Sequence, residues 1–143
     1  MGTKIKILFL CIGNSCRSQM AEGLTRFYRS NVIEPFSAGT KPEPLDPLAV
    51  EAMKEIGIDI SGQRSKSVSE FKDTSFDYVI TLCGEASESC PFFPAKTKII
   101  HKGFSDPPVL ARNEKTKEQK LVHYRKIRDE IKNYIMGLPE NIL

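Results

Sequence analysis

The sequence CIGNSCR, residues 11–17, places a cysteine and an arginine at the two ends of a short segment that contains glycine. In such a turn the successive backbone N–H groups can point inward and form a concave anion site. A helix that begins at Arg17 adds the positive end of its dipole, which favours bound oxyanions and the thiolate form of a nearby cysteine. We therefore expect Cys11 to be an ionised nucleophile beneath a tetrahedral oxyanion.

Three further side chains of this motif have expected roles. The planar guanidinium of Arg17 can bind two oxyanion oxygens at once, which a lysine cannot do. Ser18 can donate its hydroxyl to the Cys11 thiolate, and Asn14 can hold the loop in shape. A buried structural cysteine followed by a surface arginine remains the alternative, because C-x5-R alone is a short pattern. The expected oxyanion-binding residues are Ile12, Gly13, Asn14, Ser15, Cys16 and Arg17.

The sequence GFSDPP, residues 103–108, contains a second candidate. Asp106 precedes two prolines, which stiffen the backbone and can aim the carboxyl group at a ligand. From the tripeptide alone, a turn-forming Asp-Pro pair is the simpler interpretation. Only the presence of the first motif makes Asp106 a candidate functional residue.

The sequence CGEASESC places Cys83 and Cys90 in C-x6-C spacing, with small and acidic residues between them. Zinc sites usually contain a tight C-x2-C pair, and His101 and His123 supply no matching pair of ligands. We therefore expect no metal. Two loop cysteines without a function are the simple alternative, but exposed thiols are a liability unless exchange is their purpose.

Strands and helices alternate along the chain and must position these residues. Apolar runs predict strands at 4–11, 32–39, 76–83 and 97–101, and apolar residues at helical spacing predict helices at 17–30, 45–57 and about 121–137. Asp46 is the expected N-cap of the second helix. This order predicts an α/β fold with an open, parallel, four-stranded sheet and helices on both faces. All three motifs follow the carboxyl ends of strands, where such sheets bind ligands.

Length and composition narrow the class of protein. A chain of 143 residues suits a single domain, residues 1–143. The net charge of +3 and the interleaved charges near the C-terminus give no indication of nucleic-acid binding. No apolar run approaches the roughly 20 residues that span a bilayer, and we see no secretory signal. We expect a cytoplasmic monomer with reduced thiols and no cofactor.

The run CIGNSCRSQMAEG resembles the low-molecular-weight tyrosine phosphatase family, and within it the branch of thioredoxin-coupled arsenate reductases. The resemblance continues through SAGT, AVEAMKEIGIDIS, VITLC and GFSDPP, which is nearly the whole chain. It implies that Cys11 attacks an arsenate or phosphate oxyanion and that Asp106 is a general acid. It also implies a role for the two loop cysteines.

In the resembled branch, Cys83 would attack the Cys11–arsenate adduct and release arsenite. Cys90 would then move the disulfide to Cys83–Cys90, where thioredoxin reduces it. We expect Cys83 not to touch Cys11 in the reduced protein, and residues 83 to about 95 to differ between redox forms. The alternatives are a phosphatase with a Cys11 phosphocysteine, or a redox-sensing or oxyanion-binding module, because a fold does not fix a substrate. A phosphatase would have no use for resolving thiols.

The sequence departs from the family pattern at two places. Phosphatase members usually have an aromatic residue after the Asp-Pro pair, whereas Pro108 follows here. Some members bind a monovalent cation at positions that correspond to Asn14, Glu22 and Ser37. Lys66 lies where those members have an acid, and its ammonium group would replace the cation.

Overall fold

The computed structural model describes residues 3–83, 93–94 and 96–143. Its sheet contains β1 (Ile5–Cys11), β2 (Ile33–Gly39), β3 (Tyr78–Thr81) and β4 (Lys98–His101). The strand order is β2-β1-β3-β4 and every pair is parallel. The predicted open, parallel, four-stranded sheet is confirmed, with the third strand shorter than expected.

Among the residues that the structure describes, four α-helices accompany these strands: α1 (Arg17–Tyr28), α2 (Pro47–Lys54), α3 (Pro107–Leu110) and α4 (Lys117–Met136). Asp46 caps α2 as expected, since its carboxylate accepts a hydrogen bond from the Leu48 N–H at 2.9 Å. The last helix begins before the predicted start because Thr116 and Gln119 form a reciprocal capping box. Within the described ranges, no helix is long and apolar enough to cross a membrane.

The side chains of alternate residues in β1 lie on opposite faces of the sheet. Ile7 and Phe9 are fully buried in the larger core with side chains of α1, α2 and α4, whereas Leu8 and Leu10 are fully buried in a smaller one. The smaller core packs against the 3-10 helix Val68–Phe71. Burial on both faces explains why β1 is a continuous apolar run instead of an alternating pattern.

The sheet brings the ends of β1 and β3 together. The two strands are neighbours, with Leu10 opposite Thr81, and the N–H of Leu82 donates to the carbonyl of Leu10 at 2.9 Å. The pairing therefore continues past the end of β3 and places Cys83 beside Cys11. The chain after β4 reaches the same edge, because the N–H of Phe104 donates to the Leu82 carbonyl at 3.0 Å.

Candidate active site

The loop between β1 and α1 is held from outside by residues 40–46. Backbone N–H groups of that segment donate to loop carbonyls, which turns the carbonyls outward and leaves the N–H groups of the loop for its inner side. The pairs are Thr40 with Cys11 (3.2 Å), Lys41 with Ile12 (2.9 Å), Glu43 with Gly13 (2.8 Å) and Asp46 with Ser15 (2.9 Å). The loop thus has the shape of an anion nest.

Asn14 fixes the shape of this loop, as expected. It is fully buried and has a φ of 49°, in the left-handed region that asparagine tolerates better than most residues. Its Oδ1 accepts hydrogen bonds from Gln19 Nε2 and from the Lys66 N–H, both at 3.0 Å. Its amide group donates to Ser18 Oγ at 2.8 Å. This last bond makes Ser18 an acceptor and leaves the hydroxyl proton to donate elsewhere, so donation to Cys11 remains a prediction.

Cys11 and Cys83 are in contact, with their sulfur atoms 3.6 Å apart. Each side chain is only 5% exposed. The expectation that Cys83 stays away from Cys11 is therefore wrong. Pairing of β1 with β3 brings Cys83 beside Cys11.

The environment of Cys11 also differs from expectation. The hydrogen bond with Cys83 and the burial of the thiol raise the pKa of Cys11, while Arg17 and the Ile12 N–H lower it. The raised pKa is opposite to the expected thiolate character. The two neighbouring thiols titrate together. Once one sulfur carries a negative charge, that charge disfavours ionisation of the other.

Arg17 lies beside Cys11 and is held by the loop after β4. Its NH1 group donates to the Phe104 carbonyl at 2.8 Å, and its NH2 group lies 3.5 Å from Asp106 Oδ2. The Nε atom is buried without a hydrogen-bond partner in the part of the chain that the structure describes. An unsatisfied buried donor is costly, and an oxyanion oxygen would satisfy it.

A cavity of about 600 Å³ opens over this loop. Cys11, Arg17 and Asp106 all line it, which brings together residues from two separate sequence motifs. The Asp106 side chain is about one third exposed, so it can exchange protons with solvent. Sequence reasoning missed three other lining residues, which lie at the end of the SAGT segment and just after it: Thr40, Lys41 and Glu43.

Cys16 lies in the nest with a buried side chain, 3% exposed. Burial raises the pKa of its thiol, and the charges of Asp46 and Asp106 raise it further against the opposing effect of Arg17. A thiol in this environment stays protonated and is a poor nucleophile. Cys16 nevertheless lines the cavity with its neighbours in the loop.

Asp46 connects the nest to the last helix, which sequence analysis did not anticipate beyond its capping role. Its N–H holds the Ser15 carbonyl, and its Oδ2 accepts a hydrogen bond from the Tyr124 hydroxyl at 2.6 Å. Burial and the neighbouring carboxylate raise the pKa of Tyr124, so the phenol remains a donor. Tyr124 thereby supports the loop from α4.

The ammonium group of Lys66 lies among the side chains considered for a cation. Its Nζ is 3.3 Å from Ser37 Oγ, 3.1 Å from the Arg64 carbonyl and 3.6 Å from Glu22 Oε1. Burial lowers the pKa of Lys66, and the charge of Glu22 opposes that change. Ser37 also donates to Glu22 at 2.5 Å.

Cys90 lies outside the described residues, as do residues 84–92 and 95. The expected change between redox forms at residues 83 to about 95 falls largely on this part of the chain.

The model of the low molecular weight phosphotyrosine protein phosphatase family matches residues 6–142. The chain belongs to this family. A relative named arsenate reductase, from Shouchella clausii, is 49% identical over 131 residues, which cover 92% of this chain and 91% of that protein. Members of the family thus include proteins with that name.

Solved structures agree with this placement. One described as an arsenate reductase in the phosphate binding state has a TM-score of 0.72 and 32% identity, covering 97% of this chain and 99% of that one. A thioredoxin-dependent arsenate reductase of Corynebacterium glutamicum has a TM-score of 0.71 and 28% identity, covering 99% of this chain and 64% of that one. The phosphatase-like fold is therefore established.

Proposed function

We propose that this chain reduces arsenate to arsenite, with Cys11 as nucleophile and thioredoxin as the source of electrons. The observation that carries the proposal is the 3.6 Å contact between Cys11 and Cys83 beside a cavity lined by Arg17 and Asp106. Hydrolysis of a phosphate ester requires such a cavity but no second thiol. Relatives that are named arsenate reductases, one of them thioredoxin-dependent, support the same choice.

In the first step, arsenate binds to the loop N–H groups and to the Nε edge of Arg17. The Cys11 thiol passes its proton to an oxygen of the bound arsenate as its sulfur attacks arsenic, and a hydroxyl group of arsenate leaves as water after Asp106 gives it a proton. The product is a covalent Cys11–arsenate adduct in which arsenic is still pentavalent. The nest and the guanidinium stabilise the charge on its oxygens.

In the second step, Cys83 attacks the sulfur of Cys11. A disulfide forms, the sulfur–arsenic bond breaks, and its electron pair stays on arsenic, which leaves as trivalent arsenite. Cys11 lines the cavity, whereas Cys83 is not among its described lining residues. This arrangement suits an in-line displacement, because the arsenic group can depart into the cavity while Cys83 approaches from another side.

In the third step, Cys90 attacks Cys83 and restores Cys11. A thioredoxin dithiol then reduces the Cys83–Cys90 disulfide, supplying the two electrons that arsenic received. All three cysteines belong to one chain, so we assign the cycle to a monomer with a single domain, residues 1–143. We place it in the cytoplasm, where thiols are kept reduced.

The test is arsenate-dependent oxidation of NADPH in the presence of thioredoxin and thioredoxin reductase. We expect repeated turnover by the wild type, none by Cys83→Ser, and a single turnover by Cys90→Ser. Hydrolysis of a small aryl phosphate is the control, because it needs the nest and Cys11 but neither of the other two thiols. Sustained arsenate turnover by Cys83→Ser would contradict the relay.

A second candidate is hydrolysis of phosphate monoesters through a Cys11 phosphocysteine. Cys11, Arg17 and Asp106 meet at one cavity, which favours this activity and is all that it requires. Pro108 lines the cavity where phosphatase members usually carry an aromatic residue. We therefore propose phosphatase activity as a slow side reaction, since an aryl group would find no aromatic ring there to stack against.

A further inference from the structure

We infer that Gln19 is a positioning residue that directs the Ser15 N–H into the nest. Gln19 belongs to α1 and is fully buried. Its Nε2 donates to the carbonyl of Asn14 at 2.9 Å and to Asn14 Oδ1 at 3.0 Å. The inference rests on the oxyanion nest of the proposed function, which arsenate reduction and phosphate-ester hydrolysis share.

Backbone N–H groups of residues 40–46 hold four of the five carbonyls from Cys11 to Ser15. The fifth carbonyl, that of Asn14, accepts from the side chain of Gln19 instead. The C=O and N–H of a trans peptide point in opposite directions, so a carbonyl held outside the loop directs the following N–H to its inner side. The direction of the Ser15 N–H therefore depends on a side chain, whereas its neighbours depend on backbone donors.

Asn14 needs this support because its backbone is left-handed, with a φ of 49°. A residue with a Cβ atom adopts that conformation only at a cost in free energy. The two hydrogen bonds from Gln19 hold both the carbonyl and the side chain of Asn14, which offsets this cost. Without them, the peptide group can rotate and bring the Asn14 carbonyl towards the nest, where its oxygen would repel an oxyanion.

A chain of hydrogen bonds fixes which end of the Gln19 amide faces the nest. Arg26 NH1 donates to Gln63 Oε1 at 3.0 Å, and an arginine side chain contains donors only. The amide nitrogen of Gln63 is left to donate to Gln19 Oε1 at 2.8 Å. Gln19 therefore presents its nitrogen to Asn14 and to the Arg64 carbonyl, which lies 3.0 Å away.

The test follows the backbone amides of the loop by nitrogen–proton correlation NMR, under reducing conditions and at saturating inorganic phosphate. Gln19→Met keeps a side chain of similar length and removes the amide. In the wild type, we expect phosphate to shift the amide proton signals of Gly13, Ser15 and Cys16 downfield, because each donates to the anion. In Gln19→Met, the shift of Ser15 should be lost and the other two retained.

Phosphate affinity gives the size of the effect. Calorimetric titration should show a dissociation constant about tenfold higher in Gln19→Met, as expected for loss of one hydrogen bond to a charged group. Thr25→Val is the matched control, because Thr25 is a fully buried residue of the same helix whose hydroxyl donates to the Ala21 carbonyl at 2.8 Å. This variant should lose stability and keep the phosphate affinity and the Ser15 shift of the wild type.

Gln63→Glu tests the same contact with Gln19 left in place. The new carboxylate still accepts from Arg26 but cannot donate to Gln19, whose amide must then turn its oxygen towards the Asn14 carbonyl. We expect the Ser15 shift to be lost again. An added negative charge alone would weaken the shifts of all three loop amides together, so a loss confined to Ser15 is the deciding observation.

A Ser15 shift as large in both variants as in the wild type would overturn the inference. Equal losses at Gly13, Ser15 and Cys16 would overturn it as well, because Gln19 would then support the fold without directing one peptide group. No cysteine reacts in these titrations, so the result does not depend on whether arsenate is reduced. Loop amides of the wild type that do not respond to phosphate would contradict the nest itself, and with it both the proposed function and this inference.

Discussion

The guanidinium of Arg17 donates a hydrogen bond to the backbone carbonyl of Phe104 at 2.8 Å. The N–H of Phe104 in turn donates to the carbonyl of Leu82, the residue before Cys83. One residue of the loop after β4 therefore contacts both Arg17 and the strand end that carries the second thiol. The position of Arg17 depends on backbone atoms far from it in sequence.

This arrangement predicts a large effect of Arg17→Lys. A lysine cannot donate a hydrogen bond to the Phe104 carbonyl and at the same time bind an oxyanion through two parallel donors. We expect kcat/KM for arsenate and for an aryl phosphate to fall about 100-fold or more, with the far-UV circular dichroism spectrum unchanged. Cys11→Ser is the reference for complete loss. Activity within a few fold of the wild type in Arg17→Lys would contradict the bidentate role.

Removal of the second sulfur should lower the pKa of Cys11. The contact with Cys83 is the largest cause that raises this pKa, so Cys83→Ala should shift the pH profile of Cys11 alkylation towards lower pH. The rate of reaction with iodoacetamide follows the thiolate fraction and measures the shift. Peptide mapping assigns the reacted cysteine. A shift towards higher pH would mean that the Cys83 thiol stabilises the thiolate instead.

Gly39 should not tolerate a methyl group. A Cβ atom at this position would lie 2.4 Å from the Ile12 carbonyl oxygen and 2.9 Å from the Asn14 nitrogen, both in the nest backbone. We expect Gly39→Ala to lower the free energy of unfolding by about 1–3 kcal/mol and to weaken phosphate binding. Gly62→Ala is the matched control, because a Cβ there meets nothing within 4 Å. Urea unfolding and phosphate titration by calorimetry measure the two effects.

Tyr124 should support the nest through Asp46. Tyr124→Phe removes the 2.6 Å hydrogen bond to Asp46 and should cost about 1–2 kcal/mol of unfolding free energy. Phosphate affinity should fall as well, because the Asp46 N–H holds the Ser15 carbonyl. Tyr28→Phe, which keeps the edge contact of its ring with Phe27, is the control. A loss of stability with unchanged phosphate affinity would limit Tyr124 to a structural role.

Lys66 should replace a bound cation. Lys66→Ala leaves the nearly buried Glu22 without its nearby ammonium group and should destabilise the fold by about 1–3 kcal/mol. Potassium chloride should restore more of that loss than the same concentration of tetramethylammonium chloride, while the wild type responds equally to both. Thermal unfolding provides the measurement, and the exposed Lys72→Ala is the control. A potassium response in the wild type would contradict the replacement.

Local sequence patterns predicted much of this site. The nest, the start of α1 at Arg17 and the Asp46 cap depend on residues within a few positions of one another, so residue type and spacing indicate them directly. β1 was recognisable as a strand because its burial on both faces gives a continuous apolar run. Asn14 holds the loop as expected. Lys66 lies beside Glu22 and Ser37, and its replacement of a cation stays a prediction.

The remaining features of the site depend on contacts between residues far apart in sequence, which local patterns do not predict. The contact of Cys83 with Cys11 depends on the register of β1 against β3, which residue types alone do not specify. The Phe104 carbonyl is a backbone acceptor and carries no signal of residue type. The hydrogen bond from Tyr124 to Asp46 joins positions 78 residues apart, and an apolar helix face gave no reason to choose that hydroxyl over others.

The separation of 72 positions between Cys11 and Cys83 also has a consequence for biosynthesis. Residues 40–46 close the nest, and the sulfur of Cys83 reaches Cys11 only when β3 joins the sheet. A nascent chain therefore exposes isolated, ordinary thiols until more than half of it has been made. The reactive pair comes into existence with the folded protein, so incomplete chains are spared its chemistry.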